Sequence, residues 1–145
     1  MSKIYLASDH GGFALKQTLI AHLGQGGFQV EDLGPSTADR VDYPDFGARL
    51  AQALGQDPQA RGILVCGSGI GISIAANRFA HVRAANCTDV TMARLSRQHN
   101  DANVLALGER LLGVEVALEI VDVFLSTGFD GGRHAGRVEK LTQLP

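Results

Sequence analysis

The sequence predicts an α/β protein with a Rossmann-like three-layer sandwich, in which helices cover both faces of a five-stranded parallel sheet and one additional helix ends the chain. Short apolar runs alternate with amphipathic stretches from end to end, which is the pattern of repeated strand–helix units. The apolar runs are continuous, as in strands that are buried on both faces. The length of 145 residues, with 45% hydrophobic and 19% charged residues, suits a single domain over residues 1–145.

The chain opens with a strand, a helix and a second strand. Lys3–Ser8 is the first predicted strand. The helix after it carries Leu15, Leu19 and Leu23 at intervals of four, so that all three lie on one face. A glycine-rich turn ends this helix, and Phe28–Leu33 forms the second strand.

The middle of the chain contains the strongest strand signal. Pro44 occupies the first position of a second helix, whose apolar face ends at Gly55. The third strand, Gly62–Cys66, breaks into the glycine-rich loop Gly67–Gly71. A short helix is predicted from about residue 70 to residue 78.

The last part of the chain repeats the alternation. Val82–Asn86 is the fourth strand, and Asp89 caps a helix that runs to Asn100. Asn103–Leu107 is the fifth strand, and Val114–Leu125 is a helix with a clear apolar stripe. A final helix is predicted to begin after a glycine-rich turn.

Composition excludes several classes of protein. With 13 basic and 15 acidic residues and no basic run, nucleic acid is not an expected partner. The longest uncharged run, between Arg61 and Arg78, is interrupted by glycines and is shorter than the roughly 20 residues of a membrane-spanning helix. Two cysteines are too few for a disulfide scaffold, and no secretory signal is recognisable. We therefore expect a reduced, cytoplasmic protein that contacts no membrane.

A glycine-rich loop follows the third strand, at the edge of the sheet where open parallel sheets bind ligands. Its successive backbone N–H groups, together with the next helix N-terminus, would cradle an anion. The loop matches neither the Walker pattern nor the dinucleotide fingerprint, so a plain strand-to-helix turn remains an alternative. The residues of the predicted cradle are Gly67, Ser68, Gly69, Ile70 and Gly71.

Cys66 directly precedes the cradle. Thiols at helix N-termini ionise readily, so this cysteine is a candidate base, the alternative being a small buried hydrophobe. For Cys87 we favour the buried role. Asp9 and His10 follow the first strand and could bind ligand oxygens, although simple helix capping by Asp9 is an equal possibility. Arg110 follows the fifth strand at the same edge.

Two further candidates lie on predicted helices. Arg133 and Arg137 are four residues apart, so they share a helix face that suits a phosphate or, alternatively, is merely solvated. His99 stands at the far end of an eleven-residue helix that runs antiparallel to the strands, about 16 Å from the Cys66 edge. A catalytic His99 would therefore serve a second subunit; otherwise it only stabilises its helix end. No metal-binding motif is present in the sequence, and no metal site is predicted.

Five segments of the sequence occur in one order and spacing that are characteristic of a known family. They are Asp9–Gly12, Asp42–Asp45, Cys66–Gly71, Ser96–Asn100 and Gly131–His134. Together they resemble the type B ribose-5-phosphate isomerase family, which also contains the allose- and galactose-6-phosphate isomerases. The similarity extends over nearly the whole chain.

The resemblance implies an isomerase of aldose and ketose phosphates that needs no metal or cofactor, with ribose 5-phosphate and ribulose 5-phosphate as the expected pair. It implies that Cys66 moves a proton between carbons 1 and 2, that the cradle holds the enediolate, and that His99 of the partner subunit opens the furanose ring. Family members are dimers or dimers of dimers. The remaining substrate contacts implied are Asp9, His10 and Asn100 on sugar oxygens and Arg110, Arg133 and Arg137 on the phosphate.

Two features depart from the family pattern or leave alternatives open. Ser68 replaces a frequent threonine, and residues 71–75 lack the glutamate base that some relatives use, which leaves Cys66 as the candidate. A hexose-6-phosphate isomerase, for allose or galactose, would use the same machinery. A non-catalytic sugar-phosphate-binding module would need the cradle and arginines alone, and a thiol redox protein would need Cys66 paired with Cys87.

Overall fold

The computed structural model describes residues 3–145, and within that range it contains five strands and six α-helices. The strands are β1 (Lys3–Ser8), β2 (Gln29–Asp32), β3 (Arg61–Cys66), β4 (Ala84–Asn86) and β5 (Val104–Gly108). The helices are α1 (Phe13–Gln25), α2 (Tyr43–Gln56), α3 (Ile70–Ala76), α4 (Val90–Asn100), α5 (Val114–Ser126) and α6 (Arg133–Gln143). One turn of 3-10 helix, His10–Gly12, precedes α1.

All five strands are parallel and lie in the order β2-β1-β3-β5-β4. The chain moves outward from β1 to β2, returns across the sheet to β3 and β4, and then turns back to β5. With right-handed crossovers, each reversal of direction sends the connecting helix to the opposite face. Helices α1, α4 and α5 accordingly cover one face and α2 and α3 the other, which confirms the predicted Rossmann-like sandwich.

The central strand β3 contributes to both cores. Ile63 and Val65 lie in the core shared with α1 and α5, whereas Leu64 and Cys66 lie in the core shared with α2 and α3. This division follows from the alternation of side chains along a strand. Cys66 is therefore held on a defined face of the sheet at the strand's last position, where it is 5% exposed.

The additional C-terminal helix, α6, is also confirmed. It packs against α4 and buries none of its residues, so it lies outside both cores. Among residues 3–145, no helix combines the length and apolar character needed to cross a bilayer.

Several predicted boundaries were wrong by one or two residues. The third helix stops at Ala76, not at residue 78, and β4 begins at Ala84, not at Val82. The Asn77 side chain explains both differences: its Oδ1 accepts a hydrogen bond from the Ala84 N–H at 2.8 Å, and its Nδ2 donates to the Ala84 carbonyl at 3.0 Å. Similarly, α2 begins at Tyr43, one residue before Pro44.

Gly12 lies where the start of α1 approaches the backbone of β3. A Cβ on Gly12 would lie 2.4 Å from the carbonyl oxygen of Val65 and 2.8 Å from its Cβ. We expect Gly12→Ala to lower the free energy of unfolding by about 3 kcal/mol, because two buried segments must separate. Chemical denaturation measures this quantity.

Gly24 provides the matched control for this prediction. It lies in α1, and nothing approaches within 4 Å of the position of an added Cβ. Gly24→Ala should raise the free energy of unfolding by about 0.5 kcal/mol, because alanine loses less backbone entropy in a helix. Equal effects of the two substitutions would contradict the close approach at Gly12.

Candidate active site

A cleft of about 340 Å³ lies at the carboxyl ends of β1, β3 and β5. It brings together most of the predicted residues that follow these strands. Its lining consists of Asp9, His10, Gly11, Tyr43, Cys66, Gly67, Ser68, Gly71, Arg110 and Leu111.

The Cys66 thiol is held by the loop that follows it. Its Sγ accepts a hydrogen bond from the Gly69 N–H at 3.1 Å, which fixes the position of the sulfur at the end of β3. Gly69 has a φ of +79°, and a Cβ there would come within 2.5 Å of Asn86 Oδ1. Glycine is therefore required at this position for the amide to face the thiol.

The loop itself uses two of the amides that the sequence assigned to an open cradle. Gly69 donates to Cys66, and the Ile70 N–H donates to Ser68 Oγ at 3.2 Å. An anion at this edge would thus meet the remaining N–H groups of the loop, or compete with Ser68 for the Ile70 amide. Gly67, Ser68 and Gly71 line the cleft directly.

Asp9 and His10 form the opposite side of the cleft. Asp9 is 8% exposed, and its Oδ1 accepts a hydrogen bond from the Gly12 N–H at 3.1 Å. It therefore does cap the following turn, while still lining the cleft. His10 Nδ1 lies 3.1 Å from the carbonyl oxygen of Val41 and 3.2 Å from its backbone nitrogen. The Val41 backbone therefore engages Nδ1, and Nε2 is left to contact a ligand.

A fully buried lysine anchors the loop that presents Val41. Lys16 Nζ donates to both carboxylate oxygens of Asp32, at 2.8 and 2.9 Å, and to the Pro35 carbonyl at 3.1 Å. Asp32 Oδ1 in turn accepts from the Gly34 N–H at 2.8 Å. These bonds fix the beginning of the loop between β2 and α2, and hence the wall of the cleft at His10.

Sequence reasoning gave no role to Tyr43 or Leu111, which line the cleft, or to Glu109, which lies next to Arg110 in the chain. The Tyr43 ring lines the cleft against Gly71, where an added Cβ would lie 2.7 Å from a ring carbon. Glu109 Oε1 accepts a hydrogen bond from the Leu15 N–H at 2.7 Å, and so ties the residue before Arg110 to the first turn of α1. Tyr43 belongs to one of the five recognised segments, which is the only signal that could have identified it.

The other predicted residues lie in a second cluster at the end of α4. A cavity of about 360 Å³ there is lined by His99, Asn100 and Arg137, together with His134. The rings of His99 and His134 are stacked, with centroids 4.5 Å apart. Arg133, the first residue of α6, is adjacent to His134 in sequence. Burial, His99 and the two arginines lower the pKa of His134.

The two clusters lie at opposite edges of the sheet. Asn100 ends α4 just before β5 begins at Val104, which pairs with Gly62 at the start of β3. Cys66 pairs with Gly108 at the other end of the same two strands, and four residue steps at about 3.3 Å separate the ends by about 13 Å. Neither cavity includes a lining residue of the other.

Cys87 takes no part in either cluster. It is 1% exposed, and burial raises the pKa of its thiol to about 11. Both cysteines are free thiols. Cys87 is thus a small buried residue, as the sequence indicated.

A hydrogen-bonded thiol, backbone amides and an arginine at the carboxyl edge of a parallel α/β sheet form the kind of site at which this fold class binds small anionic ligands. Comparison with known proteins makes the assignment specific. The chain belongs to the Ribose/Galactose Isomerase family, whose model matches residues 4–141.

Characterised relatives match along almost the whole chain. The chain is 48% identical over 144 residues to ribose-5-phosphate isomerase B of Escherichia coli, covering 99% of this chain and 97% of the relative. The structure of the Clostridium thermocellum ribose-5-phosphate isomerase B is 52% identical, with a TM-score of 0.95 over 97% of this chain and 95% of that one. The Mycoplasma genitalium enzyme, solved with bound ribulose-5-phosphate, is 41% identical, with a TM-score of 0.94 over 97% and 94% of the two chains.

Proposed function

We propose that this protein is an aldose–ketose isomerase that interconverts ribose 5-phosphate and ribulose 5-phosphate. The family membership and the high identity to ribose-5-phosphate isomerases B support the reaction. The observation that supports the chemistry is the position of the Cys66 thiol, which lines the cleft and accepts a hydrogen bond from the Gly69 N–H.

In the proposed reaction, the Cys66 thiolate removes the proton on carbon 2 of the open-chain aldose. The electrons form a carbon–carbon double bond, and the carbonyl oxygen on carbon 1 becomes the enediolate oxygen. The proton of the carbon-2 hydroxyl passes to the enediolate oxygen on carbon 1, which becomes the C1 hydroxyl. The thiol then returns its proton to carbon 1, the double bond shifts to the carbon-2 oxygen to give the ketone, and the thiolate is regenerated. The backbone N–H groups of the Gly67–Gly71 loop other than those of Gly69 and Ile70 stabilise the negative oxygen, which lowers the barrier for both proton transfers.

The proposed substrate contacts divide between the two ends of the sugar. Asp9 and His10 contact its hydroxyl groups, and Arg110 extends into the same cleft toward the phosphate. Arginine suits phosphate because its planar N–H groups match two oxygens at once. Binding of the unreactive phosphate would position carbons 1 and 2 against the thiol.

The active site is proposed to be completed by a second subunit of a homodimer or of a dimer of dimers. The partner would supply His99 as the acid or base that opens the furanose ring, together with Asn100, Arg133 and Arg137. The separation of the two clusters supports this arrangement. So do three exposed apolar residues beside the cleft, Ile70, Ile74 and Leu111, which are 54%, 59% and 60% exposed.

A hexose-6-phosphate isomerase is the second candidate, because the family model also covers galactose isomerases. The same thiol and amides would serve, with a longer sugar between cleft and arginines. A cytoplasmic location remains a prediction from the sequence.

The function is tested by measuring isomerisation with the purified protein in EDTA. Ribose 5-phosphate, allose 6-phosphate and galactose 6-phosphate are compared by kcat/KM. We expect the highest value for ribose 5-phosphate, unchanged by the chelator. A higher value for a hexose phosphate would keep the mechanism but reassign the substrate, and no turnover of any of the three would contradict an isomerase.

A further inference from the structure

Three side chains with metal-ligating atoms meet beside α4. They are His99, Asp130 and His134, and their candidate ligand atoms all lie within 4.8 Å of one another. The sequence did not indicate this group, because Asp130 and His134 are 31 and 35 residues from His99 and form no recognised metal motif. The mechanism proposed above uses only His99.

The backbone holds the two sides of this group together. The Asp130 N–H donates to the carbonyl of Gln98, the residue before His99, at 3.1 Å. Two residues before His99 on α4, Arg97 Nε donates to the Thr127 carbonyl at 3.1 Å. The segment that carries Asp130 and leads into α6 is therefore fixed to the end of α4, and the three side chains start close together.

We propose that His99, Asp130 and His134 form a binding site for a divalent transition metal ion such as Zn²⁺. Two imidazole nitrogens and one carboxylate oxygen, with water in the fourth position, form a common Zn²⁺ ligand set. Ligand atoms about 2.0–2.1 Å from a tetrahedral Zn²⁺ are about 3.3 Å apart, so the side chains need to close by about 1.5 Å. Rotation of the two rings out of their stack would have to supply this movement, and neither histidine is fully buried.

The surrounding charge favours this class of ion over Mg²⁺ or Ca²⁺. Two imidazole nitrogens but only one carboxylate oxygen face the site, beside the positive charges of Arg133 and Arg137. The same positive charges oppose hard cations, which are held mainly by several carboxylate and carbonyl oxygens. Imidazole nitrogens, by contrast, are preferred ligands of Zn²⁺, Ni²⁺ and Cu²⁺.

A metal ion in this site would inhibit the isomerase. It would occupy the lone pair with which His99 is proposed to accept or deliver a proton, and it would displace the sugar from the shared site. The inhibition rests on the proposed function, whereas the binding does not.

Calorimetric titration of Zn²⁺ into the chelator-treated full-length protein tests the binding directly, without substrate. We expect one ion per chain, with at least tenfold weaker binding in His134→Asn and weaker binding in Asp130→Asn. We expect both variants to fold, because α6 buries no residue and Asp130 is exposed. Thermal melting without metal checks this expectation. Unchanged affinity in both variants would overturn the proposal.

Cys66 is the alternative Zn²⁺ ligand and provides the matched control. The Cys66→Ser variant should bind Zn²⁺ as tightly as the wild-type protein does. Loss of Zn²⁺ binding in this variant would also overturn the proposal. In the wild-type protein, Zn²⁺ should inhibit isomerisation at the concentration at which it binds, with recovery on adding EDTA. If the protein binds Zn²⁺ through the three residues but isomerises no sugar phosphate, the metal site stands and the proposed function fails.

Discussion

Cys66→Ala should lower kcat for ribose 5-phosphate by about 10³-fold, within the range that positioned acid–base groups contribute. The thiol is the group that the mechanism uses for both proton transfers, and residues 71–75 offer no carboxylate in its place. KM should change much less, because Asp9, His10 and Arg110 still line the cleft. Steady-state kinetics of the purified variant measure both quantities.

Cys87→Ala is the control for this prediction. It removes the other thiol of the chain, which is buried and outside the cleft. We expect unchanged kcat and a loss of about 1 kcal/mol in the free energy of unfolding, from the lost packing. Near-normal turnover in Cys66→Ala would remove the thiol from the mechanism.

His99→Ala should lower kcat/KM by about 10²-fold, because opening the furanose ring then lacks its acid–base group. Folding should be retained, because the side chain is only half-buried at the end of α4, next to α6.

His22→Ala is the matched histidine control. Its Nε2 lies 2.7 Å from Asp122 on an exposed surface, away from both clusters. We expect its kcat/KM to equal that of the wild-type protein. If His99→Ala behaved in the same way, ring opening would have to proceed without this residue.

Much of the fold could be predicted because its signals are local. Continuous apolar runs identified all five strands, and parallel strands place the residues that follow them at a common edge. That rule alone correctly grouped Asp9, Cys66 and Arg110. The direction of α4 likewise predicted that His99 would lie away from Cys66, and the two residues line separate cavities.

The remaining features depend on contacts between residues far apart in the sequence. Glu109 reaches the α1 amide of Leu15, 94 residues away, and no local pattern indicates this pairing. Lys16 has the residue type of a solvent-exposed helix position, and its burial depends on Asp32 reaching it from the end of β2. The hydrogen bonds between the Asn77 side chain and Ala84 are likewise not visible in the local sequence pattern, and they make α3 and β4 shorter than predicted.

The central claim is that each active site combines the Cys66 cleft of one subunit with the His99 cluster of another. Co-expression of Cys66→Ala and His99→Ala chains tests it most directly. A mixed dimer then contains one site with both residues intact and one site that lacks both. With random pairing in equal amounts, the mixture should recover about a quarter of the wild-type activity, although each variant alone is nearly inactive. Activity no higher than the average of the two separate variants would contradict a shared site. It would mean that Cys66 and His99 of the same subunit act together.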